Sequence, residues 1–398
     1  MPSRHGYAML VAMLGILTAA GPLSTDMYLP SLPAIAVEFG AGTDGAQLTL
    51  SAFLIGFAGG QLIYGPISDR HGRRPVLLAG LALFIAATIG CMFATSIEAL
   101  IALRMLQALG ASGPVVLARA VARDLYSGAE AGRLLSLMGS IMGFVPAIAP
   151  VIGALIHVAF GWRAVFAVIA LFGVLLMAAT WARLGESLQR PNTNPLSVRA
   201  MARTFADLAR DSRFRRYVAT TCLTYGGLFA FISGSSFVLQ GQYGVSPQGF
   251  GLSFAAAVVG YIFGTLAASR LAMTLGLDRT IYAGTLLLAG SGIAMVVAML
   301  LDRFGLWNVL APMIVYMFGV GLVLPQSLAG ALTPFPDNAG AASSFLGFLQ
   351  MTFASLVGIG VGYGLAFGPY ALSATICLLG IAAFAVAHGA RWNRPVAV

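Results

Sequence analysis

The chain has 398 residues, 59% of them hydrophobic and only 9% charged, with a mean hydropathy of +0.90; a soluble domain carries about 25% charged residues, so this composition excludes an ordinary soluble globule. The net charge is +9 and every basic residue is Arg, a balance that membrane proteins reach by gathering Arg in cytoplasmic loops and that needs no nucleic-acid surface. Without Lys there is no phosphate-cradling G-x-x-x-x-G-K-[ST] loop, which argues against direct drive by ATP.

Each crossing of a bilayer needs about 20 mostly apolar residues. Backbone in lipid must satisfy its own hydrogen bonds, which selects helices. Apolar runs bounded by charged or Gly/Pro-rich breaks predict spans at 7–28, 46–66, 76–94, 98–120, 131–157, 163–183, 216–240, 248–270, 280–301, 307–331, 341–366 and 369–389. The expected fold class is an all-α polytopic membrane protein of twelve transmembrane helices. The first run lies behind only Arg4 and His5, but a cleaved signal peptide is set aside because many spans follow. An even number of spans puts both termini on one side. With the N-terminus inside, nineteen Arg fall on inward segments and helix ends, Arg163 and Arg303 fall outside, and Arg104 lies within a span. That asymmetry predicts cytoplasmic termini and a bacterial inner membrane.

The longest polar stretch, 184–215, is Arg-rich and holds Pro191 and Pro195. It divides the chain into an N-terminal six-helix half (1–184), a cytoplasmic linker (185–215) and a C-terminal six-helix half (216–398). Residues 201–209 read equally as a short amphipathic surface helix or as solvated linker. The Gly65–Arg74 segment after the second span has a weak echo after the eighth, at Ala268–Leu271 and Gly276. Related six-span halves are the pattern of many transporters, with the site at the midplane between them.

Four segments carry chemistry. In Ser24-Thr25-Asp26-Met27-Tyr28-Leu29-Pro30, Asp26 is a carboxylate within a span. Such groups face a protein or water-filled interior and have a task, and desolvation makes them hold a proton to higher pH. Capping or anchoring a helix end at the interface is the other reading. Gly65 to Pro75 gathers Asp69, Arg70, Arg73 and Arg74 between Gly65 and Gly72, glycines that permit a tight turn. Positive-inside loop chemistry accounts for the arginines alone. Arg104 lies about 9 Å into span four, six residues at 1.5 Å each. It stays charged, so it needs a partner, water or an anionic ligand, and an approach to Asp26 is expected. A static pair or snorkelling is the alternative. In span five, Gly139 and Gly143 have the GxxxG spacing of close helix approach, and Pro146 and Pro150, with Gly153, suit a hinge. Ordinary use of Gly and Pro in membrane helices is the plainer account. Cys91, Cys222 and Cys377 read as buried single thiols. His5, His71, His157 and His388 show no metal spacing, so a membrane-embedded enzyme is a remote alternative.

Gly65-Pro66-Ile67-Ser68-Asp69-Arg70-His71-Gly72-Arg73-Arg74 resembles the loop 2–3 signature of the major facilitator superfamily, with Ile67 where Leu is usual. Arg104 and Gln107 resemble its R-x-x-Q motif. Span five resembles the motif of its drug/proton antiporters, with Val145, Ala149 and Ala154 in place of glycines. Segments 25–33, 145–154, 161–166, 233–240 and 339–350 resemble the Bcr/CflA branch of twelve-helix drug exporters. The resemblance runs from about Asp26 to Gln350.

This resemblance implies a major facilitator fold of two six-helix bundles and proton-coupled export of small drug-like molecules, such as bicyclomycin or phenicols, by alternating access. It implies Asp26 as proton site, Arg104 as its cationic partner, and an inner gate of Asp69 and Arg73 against Asp124. Tyr28, Gln107, Tyr225, Phe229, Ser233 and Gln350, with Asp26 and Arg104, are the expected cavity lining on span position and chemistry. The second half has no acid or base deep in its spans, so its recognition is expected to be apolar and hydrogen-bonded. The expected partners are a small-molecule substrate, protons and lipid. No cofactor beyond the proton gradient, no metal and a monomeric state are expected. A proton-coupled transporter of one endogenous metabolite, such as a sugar or amino acid, is the alternative.

Overall fold

The computed structural model describes residues 4–126, 128–188, 198–301, 305–335 and 339–389. Arg190, Pro191, Pro195, Arg303, Arg391 and Arg394 lie outside the described residues. Among the described residues every regular element is a helix. The first predicted span is built from α1 (Arg4–Thr18), α2 (Ala20–Asp26), the 3-10 turn Leu29–Ser31 and α3 (Leu32–Glu38). Then follow α4 (Gly42–His71), α5 (Arg73–Met92), α6 (Ile97–Leu125), α7 (Gly128–Phe160) and α8 (Trp162–Arg183). After α9 (Val198–Arg210) come α10 (Ser212–Ser236), a π-helical turn Phe237–Gln242, α11 (Pro247–Leu275) and α12 (Leu277–Leu301). The chain ends in α13 (Trp307–Leu332), α14 (Ala339–Leu365) and α15 (Tyr370–Gly389). Eleven helices are long and apolar enough to cross a membrane, and the bent first segment brings the number to 12.

Prolines explain where the first span breaks. Pro22 has no N–H to give the carbonyl of Thr18, and α1 ends at Thr18. Pro30 likewise leaves the carbonyl of Asp26 without its helical donor, and α2 ends at Asp26. The pieces Met9–Thr18 and Ala20–Glu38 meet at 44°. Asp26 therefore sits at a helix break, and the helical run continues past the expected end at 28. By contrast, the expected loop from Gly65 to Pro75 is almost wholly helical. Residues 65–71 are the last turns of α4, Pro75 sits in the first turn of α5 where its missing N–H is harmless, and only Gly72, at φ +94°, lies between them. Gly72 alone makes the turn; Gly65 stays within the helix.

The chain clusters into two compact units, one built on Met1–Leu196 with Gly244–Ala255, the other on Ser197–Tyr243 with Ala256–Val398. The break falls inside the expected linker, and the first turns of α11 group with the first unit. In the second unit, α9 covers the expected amphipathic segment. Its Leu208 is buried and its Phe205 stacks on Phe345 of α14 at 4.6 Å, while Phe214 of α10 stacks on the same ring at 6.0 Å. The apolar face of α9 thus rests on protein.

Within each unit the same device joins the helices. A Cβ on Gly56 would strike the carbonyl of Met105, and one on Gly260 would strike the carbonyl of Ile314. A Cβ on Gly110 would lie 2.9 Å from the carbonyl of Gly80, and one on Gly319 would lie 3.0 Å from that of Gly284. Gly72 (φ +94°) and Gly276 (φ +82°) open α5 and α12 in the same conformation. The weak echo in the sequence is therefore a repeat of backbone contacts. In lipid these contacts hold helices together because small residues let backbones approach.

Gly110→Leu should prevent α5 and α6 from closing, because the obstructing atoms are backbone and cannot rotate away. A loss of about 1–3 kcal/mol is expected for such overpacking. Fluorescence-detected size-exclusion after heating should show a lower midpoint for Gly110→Leu, and Gly319→Leu should do the same in the second unit.

Candidate functional site

Arg104 of α6 is fully buried, at 0% exposure, and Asp26 is 4% exposed. The Arg104 guanidinium donates from Nη1 to the carbonyl of Ser24 at 2.9 Å and to Oε1 of Gln107 at 2.6 Å. Gln107 in turn donates from Nε2 to the hydroxyl of Thr88 at 2.9 Å. Arg and Gln three apart lie on one helix face, which is why their spacing produces a bond. The guanidinium lies 4.6 Å from the ring of Tyr28 and 4.4 Å from that of Phe53. Desolvated stacking of this kind contributes about 2 kcal/mol. Nε and Nη2 have no hydrogen-bond partner.

The expected pairing of Asp26 with Arg104 is absent: no ion pair joins them. Arg104 touches the chain at Ser24 and Tyr28, one turn apart on the same face. Asp26 is two residues from either, about 200° around a helix of 3.6 residues per turn. Its carboxylate has the Thr25 side chain as hydrogen-bond partner.

A ladder of rings runs from Arg104 to the far end of the unit. Tyr28 donates to or accepts from Thr49 at 2.9 Å and packs on Phe166 at 5.4 Å. Phe166 meets Trp162 edge-on at 6.0 Å. Trp162 donates from Nε1 to Glu38 at 2.6 Å, and Arg163 pairs with the other Glu38 oxygen at 2.6 Å while lying 4.2 Å from the Trp162 ring. Neither Glu38 nor Trp162 was singled out by sequence reasoning. The signal was the GWRAVF segment (161–166), whose rings fall at i and i+4.

At the opposite end, Arg73 pairs with Asp69, donates from Nε to Asp124 at 2.9 Å and from Nη1 to Ser68 at 2.6 Å. This brings together three expected gate residues. Glu186, missed in the sequence, completes the cluster. Its two oxygens accept from the backbone N–H groups of Arg73 at 2.9 Å and Arg74 at 3.1 Å, at the N-terminus of α5 where helix donors are otherwise unmatched. A Cβ on Gly72 would lie 2.5 Å from Glu186 Oε2, so glycine is needed twice over. Arg74 also donates to the carbonyl of Trp181 at 2.8 Å, while Arg70 is exposed.

Other expectations change. Nothing lies within 4 Å of a Cβ at Gly139 or Gly143, so among the described residues their GxxxG spacing serves no helix contact. α7 runs as one helix through Pro146 and Pro150. Close approach falls instead to Gly153, where a Cβ would strike the carbonyl of Met27, next to Asp26. Of the expected cavity lining, Tyr28, Arg104, Gln107 and Ser233 are 0% exposed and Phe229 is 1%. In this structure neighbouring atoms cover their side chains. Tyr225 and Gln350 are partly exposed.

Burial pushes the Glu186 carboxyl up, but the backbone N–H groups of Leu188, Arg73, Arg74 and Ser187 outweigh it and hold the group below the ordinary carboxylate range. A carboxyl depressed on folding stabilises the fold above its unfolded pKa, and that stabilisation fades as pH falls through the folded value. Glu186→Gln should therefore lower the thermal midpoint at neutral pH, and the gap to wild type should close in acid. A gap independent of pH would rule this out.

Three comparisons place the chain among known proteins. The Major Facilitator Superfamily model matches residues 14–359. The chain is 31% identical to the "Bicyclomycin resistance protein homolog" of Haemophilus influenzae, over 90% of both chains. It is 31% identical to the "Chloramphenicol resistance protein" of Pseudomonas aeruginosa, over 86% of this chain and 80% of that one. A partially occluded inward-open xylose transporter from Escherichia coli superposes with TM-score 0.75 over 99% of this chain and 100% of that one, at 17% identity, a likeness of fold. With the family match spanning most of its length and its helices arranged like those of a solved transporter, this chain belongs to the major facilitator superfamily.

Proposed function

We propose that this protein exports neutral or amphipathic drug-like molecules across the bacterial inner membrane in exchange for protons, by alternating access, as a monomer with both termini cytoplasmic. The observation that carries the proton half of this reading is Asp26, a buried carboxylate held at a helix break with no ion-pair partner among the described residues. Taking up a proton there breaks no salt bridge and removes a charge that hydrocarbon disfavours. Met27, next in the chain, lies against Gly153 of α7, so a shift at Asp26 is passed directly to a second helix. Arg104 adds a fully buried cation, with two nitrogens unmatched among the described residues, that holds a positive potential in the site. Relatives named for bicyclomycin and chloramphenicol resistance support the substrate class. The Arg73–Asp69–Asp124–Glu186 cluster would act as the cytoplasmic gate, since it ties α4, α5 and α6 to the segment after α8 through groups that water can compete for.

Inverted membrane vesicles carrying the protein should accumulate chloramphenicol when a pH gradient, acid inside, is imposed. Asp26→Asn should reduce that gradient-driven uptake to the background of vesicles without the protein, while Arg104→Lys should weaken it less. If Asp26→Asn accumulates drug as fast as wild type, Asp26 is structural and the coupling assignment is wrong.

A further inference from the structure

The glycine contacts set a register between the two units. Gly56, Gly80, Met105 and Gly110 correspond to Gly260, Gly284, Ile314 and Gly319, because each pair makes the same backbone contact. In that register Arg104 falls on Met313, Gln107 on Tyr316 and Thr88 on Gly292. The first unit links a guanidinium, an amide and a hydroxyl in one chain of bonds. At the matching depth the second unit has a thioether, a phenol and a glycine, so Tyr316 keeps a polar atom where its bonding neighbours have been replaced.

That phenol is 0% exposed and its hydroxyl has no hydrogen-bond partner among the described residues. It sits in the notch of Gly227 on α10, where any Cβ would strike the oxygen. Thr224 lies one turn earlier on the same face of α10, is also 0% exposed, and its Oγ1 is also without a partner. Folded proteins leave few buried polar atoms unmatched, and each such atom destabilises the fold. Phe in place of Tyr, or Val in place of Thr, would remove the penalty at no loss of packing. Two unmatched hydroxyls on one seam point to a partner that is not part of this chain. The helix that covers them is built to move. Gly226 and Gly227 are adjacent in mid-span, and glycine weakens a helix interior. Ten residues on, α10 passes into the π-helical turn Phe237–Gln242, a rare form common at functional sites.

We infer that Tyr316 and Thr224 form a hydrogen-bonding subsite for a neutral compound bearing a carbonyl or amide, uncovered when α10 flexes at Gly226–Gly227. The subsite offers hydroxyl donors, and the position that carries a cation in the first unit is Met313 here, so an uncharged acceptor matches it. This inference rests on the export of drug-like molecules proposed above.

The test is equilibrium binding of two probes to the purified full-length protein. Chloramphenicol carries an amide carbonyl; tetraphenylphosphonium has no hydrogen-bond acceptor. Tyr316→Phe should raise the Kd for chloramphenicol about fivefold to tenfold, the worth of one hydrogen bond, and leave the Kd for tetraphenylphosphonium unchanged. Thr224→Val should act in the same direction and less strongly. Both variants should keep or raise the thermal midpoint, since each removes an unmatched polar atom. Unchanged chloramphenicol binding in Tyr316→Phe, an equal loss for both probes, or a lowered thermal midpoint would each overturn the subsite. So would a wild-type protein that binds tetraphenylphosphonium alone, though drug export would then stand. Wild type that binds neither probe would remove the drug-export reading and this one with it.

Discussion

A helix in hydrocarbon gains nothing by exchanging lipid for another helix's leucine, so association must come from close packing and from bonds between backbones and side chains. In this chain glycine makes that possible. Gly56, Gly80, Gly110 and Gly153 in one unit, and Gly260, Gly284 and Gly319 in the other, let one backbone rest on the next. The polar groups depend on that closeness. Arg104 reaches the carbonyl of Ser24 only because α6 and the first span lie near each other, and Tyr316 fills the notch that Gly227 leaves.

Close packing also decides how the charges behave. Arg104 is held by aromatic faces, one carbonyl and one amide, a mixture that partly offsets the cost of taking a cation out of water. Asp26 has no such seat. It sits at a break forced by Pro30, and among the described residues no ion pair joins it to Arg104. At the Gly72 turn, Glu186 caps two unmatched backbone donors that α5 exposes at its start. In the second unit the register of glycine contacts is kept while its polar groups are thinned to hydroxyls, which separates the chemistry of the halves without altering their frame.

Much of this was legible in the residues. The spans, their number and the family emerged from hydropathy and short motifs, and the R-x-x-Q resemblance named Arg104 and Gln107, which the structure joins by a hydrogen bond. Gly72 could be read as a turn because it ends a helix before a first-turn proline. Other readings failed for one reason. GxxxG at 139 and 143 looked like a contact, yet among the described residues it faces nothing, and Gly153, without a second glycine four residues away to complete the motif, makes a contact instead. Phe229 and Ser233, expected as lining, are buried in this structure, which span position alone did not indicate. Glu38 and Glu186 carry no local signal, because their bonds join segments far apart in the chain.

The sequence by itself determined what lipid imposes residue by residue: which stretches are helices and which end of each gathers Arg. Those properties are local, because hydrocarbon acts on each side chain independently. The tertiary structure decided which groups meet. A shift of one residue turns a side chain by about 100° on a helix, so whether Arg104 faces Asp26 or Ser24, and whether Tyr316 finds a partner or none, is settled by how whole helices dock against their neighbours, a quantity no single segment carries.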